Sequence, residues 1–398
     1  MKIFIVCPRL CHGGAERVAV TLANGFVSKG YDVVFFADLF EEQTYVLDDA
    51  VKVLNLVSSI KNKIRKWGSA IRIIRKAIKK EKPDVIIGIM SLCSFIAKIA
   101  SLGMGVPVIA TEHDSYEKPD SAPMSSMMRF YKFHVCKVYK CVTILTEEDK
   151  KVIGHRLKNV YVMPNPLAIE PSDDIPSPQQ IILAAGRVDN WHVKGFDILV
   201  KSFGLIMKDD SFKNKYSGWR LQIAGVWRDP KTREYLDGIA KECGVLDQID
   251  YLGFVDDMKP LYQNASIFVL SSRYEGFGLV LIEAMSQGCA CVACDYHGRQ
   301  REIICPDGAN DSSKFFAEQS GKAERQVSSF NDSGVEVCEN GILCEVESVE
   351  ALAEGIKRMM EDEEYRKEVQ RNSVERSKAY GVDRIVQRWE NLFDQMIY

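Results

Sequence analysis

An alternation of strand and helix patterns that runs through the first half and then starts again most restricts how this chain can fold. Apolar runs suited to buried strands lie at Lys2–Cys7, Asp32–Phe36, Val85–Ile89 and Val106–Thr111, and Glu16–Ser28 carries apolar residues at helical spacing. After MPNP at Met163–Pro166 and the Pro/Ser-containing stretch from Pro171, the series restarts at Ile181–Ala185 and continues through Leu221–Ala224 and Ile267–Leu270. Strands alternating with helices predict doubly wound parallel sheets, and the restart predicts two of them. A chain of 398 residues exceeds one comfortable core, which agrees. The expected division is residues 1–166 and 167–381, with Val382–Tyr398 a closing helix carrying Ile385, Trp389, Leu392 and Phe393 at helical spacing.

Chemistry concentrates in SSRYEGFGLVLIE, Ser271–Glu283. It follows a strand, turns through Gly276 and Gly278, and begins a helix near Leu279. Free backbone amides and the positive end of the helix dipole at such a turn suit a phosphate. Glu275 at the strand end and Glu283 one turn into the helix flank it, and carboxylates accept charge-assisted hydrogen bonds from sugar hydroxyls. The second half opens with AAGRVDNWHVKGFDILV, in which Arg187 and Lys194 bracket a strand-to-helix loop. In the first half, CHGGAERV places Gly13 and Gly14 before a helix, where backbone can approach a ligand closely. A dinucleotide fingerprint is excluded there, because these glycines are adjacent and the next is Gly25. His113, in VPVIATEH, is placed at the carboxyl end of a parallel strand, where ligands of open sheets gather.

Two glutamates separated by seven residues within EGFGLVLIEAMSQGCACVACD resemble the signature of the retaining glycosyltransferases of family four. That resemblance implies the GT-B fold, two Rossmann-like α/β domains facing across a cleft, with the last helix, 382–398, crossing back to the first domain. It also implies a nucleotide-sugar donor. Glu275 would hold the donor hexose, Gly276, Phe277, Gly278 and Leu279 would meet hexose and diphosphate, and Glu283 would hold the ribose. Arg187 and Lys194 resemble the family's diphosphate-gripping pair, with a spacer about two residues longer than the common form. His113 resembles a histidine that orients the donor sugar, and the Gly13–Gly14 loop would lie over the donor phosphates beside the acceptor. Gly253 and Phe254, in YLGFV, match a segment lining the base, while Trp227 stands where the family turn has a second glycine. The likeness of GGAERV and TEHD to enzymes that add N-acetylhexosamines to lipid-linked glycans implies a UDP-sugar donor.

A departing nucleoside diphosphate needs its charge neutralised by a metal or by fixed cations. No Asp-x-Asp triplet stands at the strand ends considered, so fixed cations are expected, with no metal and no cofactor. A sugar-nucleotide epimerase of similar fold and a non-catalytic nucleotide-sugar binding protein are the alternatives, the first disfavoured by EGFGLVLIE and the second by Arg187, Lys194 and Glu275.

Residues 51–80 hold ten Lys or Arg and no acid. Within 61–80, Ile64, Trp67, Ile71, Ile74 and Ile78 fall on one side, an amphipathic basic helix open to two readings: a packed helix with a solvated face, or a platform for anionic lipid. Residues 124–140 mix Met and aromatic residues with cations, which adds support to the second and leaves both open. The formal net charge of -3 and the lack of a reading motif give no case for nucleic acid. The amino terminus reads as a strand rather than a signal peptide, and no apolar run nears the roughly 18 residues of a spanning helix. A cytoplasmic chain is expected, and under the second reading one peripheral on the membrane's inner face. Twelve cysteines lack the spacing of a disulfide framework, and Cys289, Cys291 and Cys294 read as buried core thiols on a strand, the first two on one face. Residues 309–340 resemble an insertion and are expected to be a mobile excursion.

Overall fold

The computed structural model describes residues 1–11, 13–39, 44–56, 63–119, 123–173, 178–306 and 330–397. The chain divides into two compact units, Met1–Ala168 with Tyr380–Tyr398, and Ile169–Ala379.

The first unit is built on a seven-stranded sheet of β1 (Lys2–Arg9), β2 (Asp32–Asp38), β3 (Lys52–Asn55), β4 (Val85–Ile89), β5 (Val108–Thr111), β6 (Cys141–Ile144) and β7 (Val160–Val162). Its order is β3-β2-β1-β4-β5-β6-β7, and every neighbouring pair is parallel. Helices cover such a sheet on both faces, so its central strands are apolar throughout, and VIIGI in β4 is buried at all positions. β5 starts later than its apolar run because Pro107 has no N–H for the ladder. It ends at Thr111, as the run does, so His113 stands two residues beyond the last strand residue rather than on it. The helix Val382–Ile397 lies against the helix Gly14–Ser28. Phe26 contacts the rings of Trp389 and Phe393 at 6.1 and 5.7 Å, Tyr31 donates to Glu390 at 2.9 Å, and Gly25 leaves room for Val382 and Val386.

The second unit repeats the plan with β8 (Gln179–Ala185), β9 (Arg220–Ala224), β10 (Ile249–Gly253), β11 (Ala265–Leu270), β12 (Ala290–Cys294), β13 (Val335–Cys338) and β14 (Gly341–Cys344). The order is β10-β9-β8-β11-β12-β14-β13, parallel except for the β13–β14 hairpin. β12 buries Ala290, Val292 and Cys294 in one core cluster, leaving Cys289 and Cys291 on the opposite face, and all three thiols are buried.

The expected excursion over 309–340 is corrected in its last part. Residues 309–329 lie outside the described residues, but Val335–Cys338 is an edge strand paired with β14. Its Val-Glu-Val-Cys pattern carries a polar Glu336 that finds an ion-pair partner in Arg301, so the segment is anchored.

Among its parallel strands each sheet reverses order once, between β1 and β4 in the first unit and between β8 and β11 in the second. Crevices form outside the carboxyl ends of the strands at such points. The loops after β8 and β11 are residues 186–195 and 271–278, which hold most of the residues singled out in the second half.

Candidate active site

In the second unit the longer spacer after Arg187 is wound up rather than extended. A 3-10 turn at Val188–Asn190 runs into a single helical turn, Trp191–Lys194, which ends on Gly195 in the left-handed region at φ 65°. A Cβ at Gly195 would stand 1.9 Å from the Ser271 carbonyl oxygen, so only glycine lets the two loops come this close. The winding returns the Lys194 stem to Gly186, where a Cβ would be 3.4 Å from it. The ammonium then meets the Glu275 carboxylate at 2.6 Å.

Several contacts fix that geometry. Ser271 Oγ donates to the Lys194 carbonyl at 2.9 Å, and the Arg273 amide donates to the Val193 carbonyl at 2.9 Å. The Arg273 guanidinium holds Asp197 through two bonds of 2.7 Å, a bidentate pair that is mostly buried. Lys194 and Ser272 both donate to Oε2 of Glu275, the latter at 3.3 Å. Among the described residues no donor reaches its other oxygen, which is left to accept from a ligand hydroxyl.

Beyond Glu275, Gly276, Phe277 and Gly278 are buried, and Gly278 takes φ 101° at the start of the helix Leu279–Ser286. The Phe277 ring points into the protein, so this turn presents backbone rather than side chain. No side chain caps the helix. Glu283 lies within it, 2% exposed, and accepts from the Tyr262 hydroxyl at 3.2 Å. Arg187 is exposed beside Gly186. At the ends of β9 and β10, Gly253 takes φ 73°, Phe254 is exposed, and the Trp227 indole lies 3.9 Å from where a Gly253 Cβ would be. The Arg233 guanidinium stacks 3.8 Å over Tyr251 next to it.

The structure thus brings Lys194 and Glu275 into contact and Arg187, Gly276, Gly278 and Leu279 to the same switch point, with Glu283 beneath. Ser271, Ser272, Arg273, Asp197, Gly195 and Tyr262 were not singled out from sequence. The KGFD context carried a faint signal for Gly195 and Asp197, whereas nothing local ties Arg273 to a residue 76 positions away.

In the first unit Gly13 is the extended N-cap of Gly14–Ser28, and Glu16 is 5% exposed. A Cβ on Gly13 would lie 1.9 Å from Glu16 Oε2, so this carboxylate folds back onto the start of its own helix. Met90, at the end of β4, holds φ 61°, a strained value at the other half of the switch point. Thr111 donates its hydroxyl to the Gly88 carbonyl at 3.1 Å and meets His113 Nε2 at 2.9 Å. With its proton spent on Gly88, Thr111 accepts from Nε2, which assigns the hydrogen to that nitrogen. Nδ1 is then a bare acceptor, sealed from solvent, with no partner in hydrogen-bond geometry among the described residues, although the Asn165 side chain is near the ring. Burial pushes the His113 pKa down to about 4, with Asn165 offsetting part of the shift, so the ring is neutral near pH 7. Glu112 turns away and pairs with the buried Lys132 at 3.3 Å; desolvation raises its pKa and the lysine opposes that.

Comparison with known proteins agrees with this architecture. Residues 12–170 match the model of Glycosyltransferase Family 4, and residues 168–333 match that of the Glycosyl transferases group 1. An uncharacterized glycosyltransferase of Haemophilus influenzae is 24% identical over 96% of this chain and 96% of its own. A Campylobacter jejuni alpha-1,4-N-acetyl-D-galactosaminyltransferase, named for a GalNAc-containing diNAcBac-PP-undecaprenol, is 26% identical over 100% of this chain and 99% of its own. Among solved structures, sucrose-phosphate synthase of Thermosynechococcus elongatus superposes with a TM-score of 0.76 at 18% identity, covering 99% and 98% of the two chains. Anabaena HepE in complex with UDP and glucose gives 0.74 at 17%, covering 99% of each. These likenesses show the GT-B fold. With two domain models spanning residues 12–333 and full-length relatives of one kind, the chain belongs to the group 1, family 4 glycosyltransferases.

Proposed function

We propose that this glycosyltransferase moves a hexose or N-acetylhexosamine, with retention, from a UDP-sugar to a lipid-linked glycan at the cytoplasmic face of a membrane. The carrying observation is the Lys194–Glu275 pair, held at 2.6 Å at the topological switch point beside an uncapped helix start. A cation and a helix terminus suit a diphosphate, and the free oxygen of Glu275 suits a sugar hydroxyl. Lys194 and Arg187 neutralise the charge that grows on the departing diphosphate, so the reaction runs without a metal. Glu275 fixes the hexose and Glu283 the ribose. The acceptor attacks the face the leaving group vacates, and the departing phosphate takes its proton. No protein nucleophile is required. The base is lined at Gly253 and Phe254, while Gly13, Gly14 and His113 belong to the donor-sugar and acceptor side.

The relatives support donor and acceptor class. HepE is described with UDP and glucose, and two Campylobacter jejuni relatives are named for undecaprenol-linked glycans. A panel of UDP, GDP and ADP sugars, with and without EDTA, tests the reading by nucleotide release and by the anomeric form of the product. UDP-sugar turnover that survives chelation, giving a retained glycoside, is expected. Strict metal dependence, an epimerised sugar, or binding without release would each sink it.

The first unit carries the membrane part. On the helix Lys63–Glu81, Ile74 and Ile78 are buried, while Arg65, Trp67, Arg72, Lys76, Lys79 and Lys80 are exposed. Lys66 is spent on Asp38, and Arg75 on the carbonyls of Ala100 and Leu102. Met127, Phe130 and Val138 are at least half exposed. No helix of the described residues is long and apolar enough to cross a membrane. Replacing Arg65, Arg72, Lys76, Lys79 and Lys80 with glutamine is expected to abolish sedimentation with anionic vesicles and keep donor hydrolysis. Equal sedimentation of both proteins would leave these charges as a solvated face.

A further inference from the structure

Away from the switch point, three groups with reactive or ligating atoms meet between the short helix Arg301–Ile304 and the β13–β14 hairpin. Sγ of Cys305, Sγ of Cys338 and a carboxylate oxygen of Glu336 all lie within 4.8 Å of one another. The backbone around them is pinned: Asn340 donates to the Ile304 carbonyl at 3.0 Å, and Cys338 pairs with Gly341 across the hairpin. We propose that Cys305 and Cys338 are a thiol–disulfide modification site, oxidised to an intramolecular bond by a low-molecular-weight disulfide.

A zinc-type site is the other reading of two thiols and a carboxylate, and the second coordination layer argues against it. Arg301 grips both oxygens of Glu336, one at 2.7 Å, and also meets Asp295 at 3.4 Å. Glu336 is therefore already neutralised, and a divalent ion would approach a fixed guanidinium. The same cation favours a thiolate at Cys305, while burial and Glu336, which accepts from that thiol at 3.7 Å, oppose it. A hydrogen bond from Cys338, aided by Arg301, lowers the pKa of Cys305, whereas Cys338 is pushed up by that bond and by burial. Exposure divides the roles in the same way. Cys305 is half-buried and attacks first; Cys338, 4% exposed, is reached only by its neighbour.

The steps balance. The Cys305 thiolate attacks one sulfur of the external disulfide and releases one thiolate, leaving a mixed disulfide on Cys305. Cys338 then gives up its proton, and its sulfur attacks Cys305, releasing the second thiolate. The two electrons end on the external disulfide, which is reduced to two thiols. The two sulfurs then close from within 4.8 Å to the S–S length of about 2.05 Å.

The reduced, folded protein is exposed to oxidised glutathione, quenched with acid and mapped by mass spectrometry. A Cys305–Cys338 cross-link is expected, with Cys305 reacting at least about tenfold faster than Cys243, the other half-buried thiol. Cys338→Ser, or Cys338→Ala should the serine disturb the buried position, is expected to stop at the glutathione adduct on Cys305. Cys305→Ser should leave Cys338 unmodified. A persistent adduct on wild-type Cys305 without cross-link, or equal reaction at Cys243, would overturn the proposal. So would stoichiometric zinc in the purified protein that blocks reaction until it is chelated.

Discussion

The two units use the same device, a strand leading through glycines into a helix, and set it up in opposite electrostatic states. Around the first, Glu16 folds back on its own helix start, His113 is neutral, and Glu112 is consumed by Lys132. Around the second, Arg187 is exposed and Lys194 is held by a carboxylate with an oxygen to spare. The first has spent its carboxylates internally while leaving His113 Nδ1 a buried bare acceptor; the second keeps an exposed cation and a carboxylate oxygen that no described donor reaches. Fold alone, shared by both, does not decide this.

The contrast can be broken most strongly through pH. His113 has a folded pKa of about 4 against an ordinary 6.5, so its contribution is complete above 6.5 and is lost as pH falls towards 4. The lost stability is at most about 3 kcal/mol. Denaturant unfolding from pH 7 to 4 should show that loss in wild type and a flatter profile in His113→Gln. Parallel profiles would mean the ring is not held neutral.

The next effect lies in the second unit. Lys194→Ala and Arg187→Ala should each slow transfer at least about tenfold, since a charge-assisted contact is worth roughly 1.5–3 kcal/mol. Glu275→Gln should lower kcat more than nucleotide affinity, and Glu283→Gln chiefly affinity. Wild-type kinetics in both cation variants would remove these residues from the site. The smallest effect is expected at Gly13→Ala. Its Cβ meets the end of a flexible glutamate, which can swing aside, so stability should fall by no more than about 1 kcal/mol, the scale of a lost cap. A larger loss in thermal unfolding would show that the Glu16 contact is rigid.

Sequence made the fold legible because period and punctuation are local. The restart after Met163–Pro166, the strands and the EGFGLVLIE turn all lie within short windows. What it left open was pairing across distance. Lys194 meets Glu275 across 81 positions and Arg273 meets Asp197 across 76, and no window contains either pair. Spacer length left the reach of Lys194 open for the same reason: the two extra residues wind into a turn that brings Lys194 back to Gly186. The stripe from Trp67 to Ile78 read as one face, yet only its later residues are covered, because helical spacing does not reveal where packing stops.

The return of Val382–Ile397 to the first unit bears on how the protein is made. Residues Ile169–Ala379 are continuous and can close as they leave the ribosome, whereas the unit begun by Met1 waits for Trp389 and Phe393 to seal Phe26. The part synthesised first is thus completed last. A nascent chain stalled before residue 382 would lack the rings that cover Phe26 and leave that surface bare for as long as the stall endures.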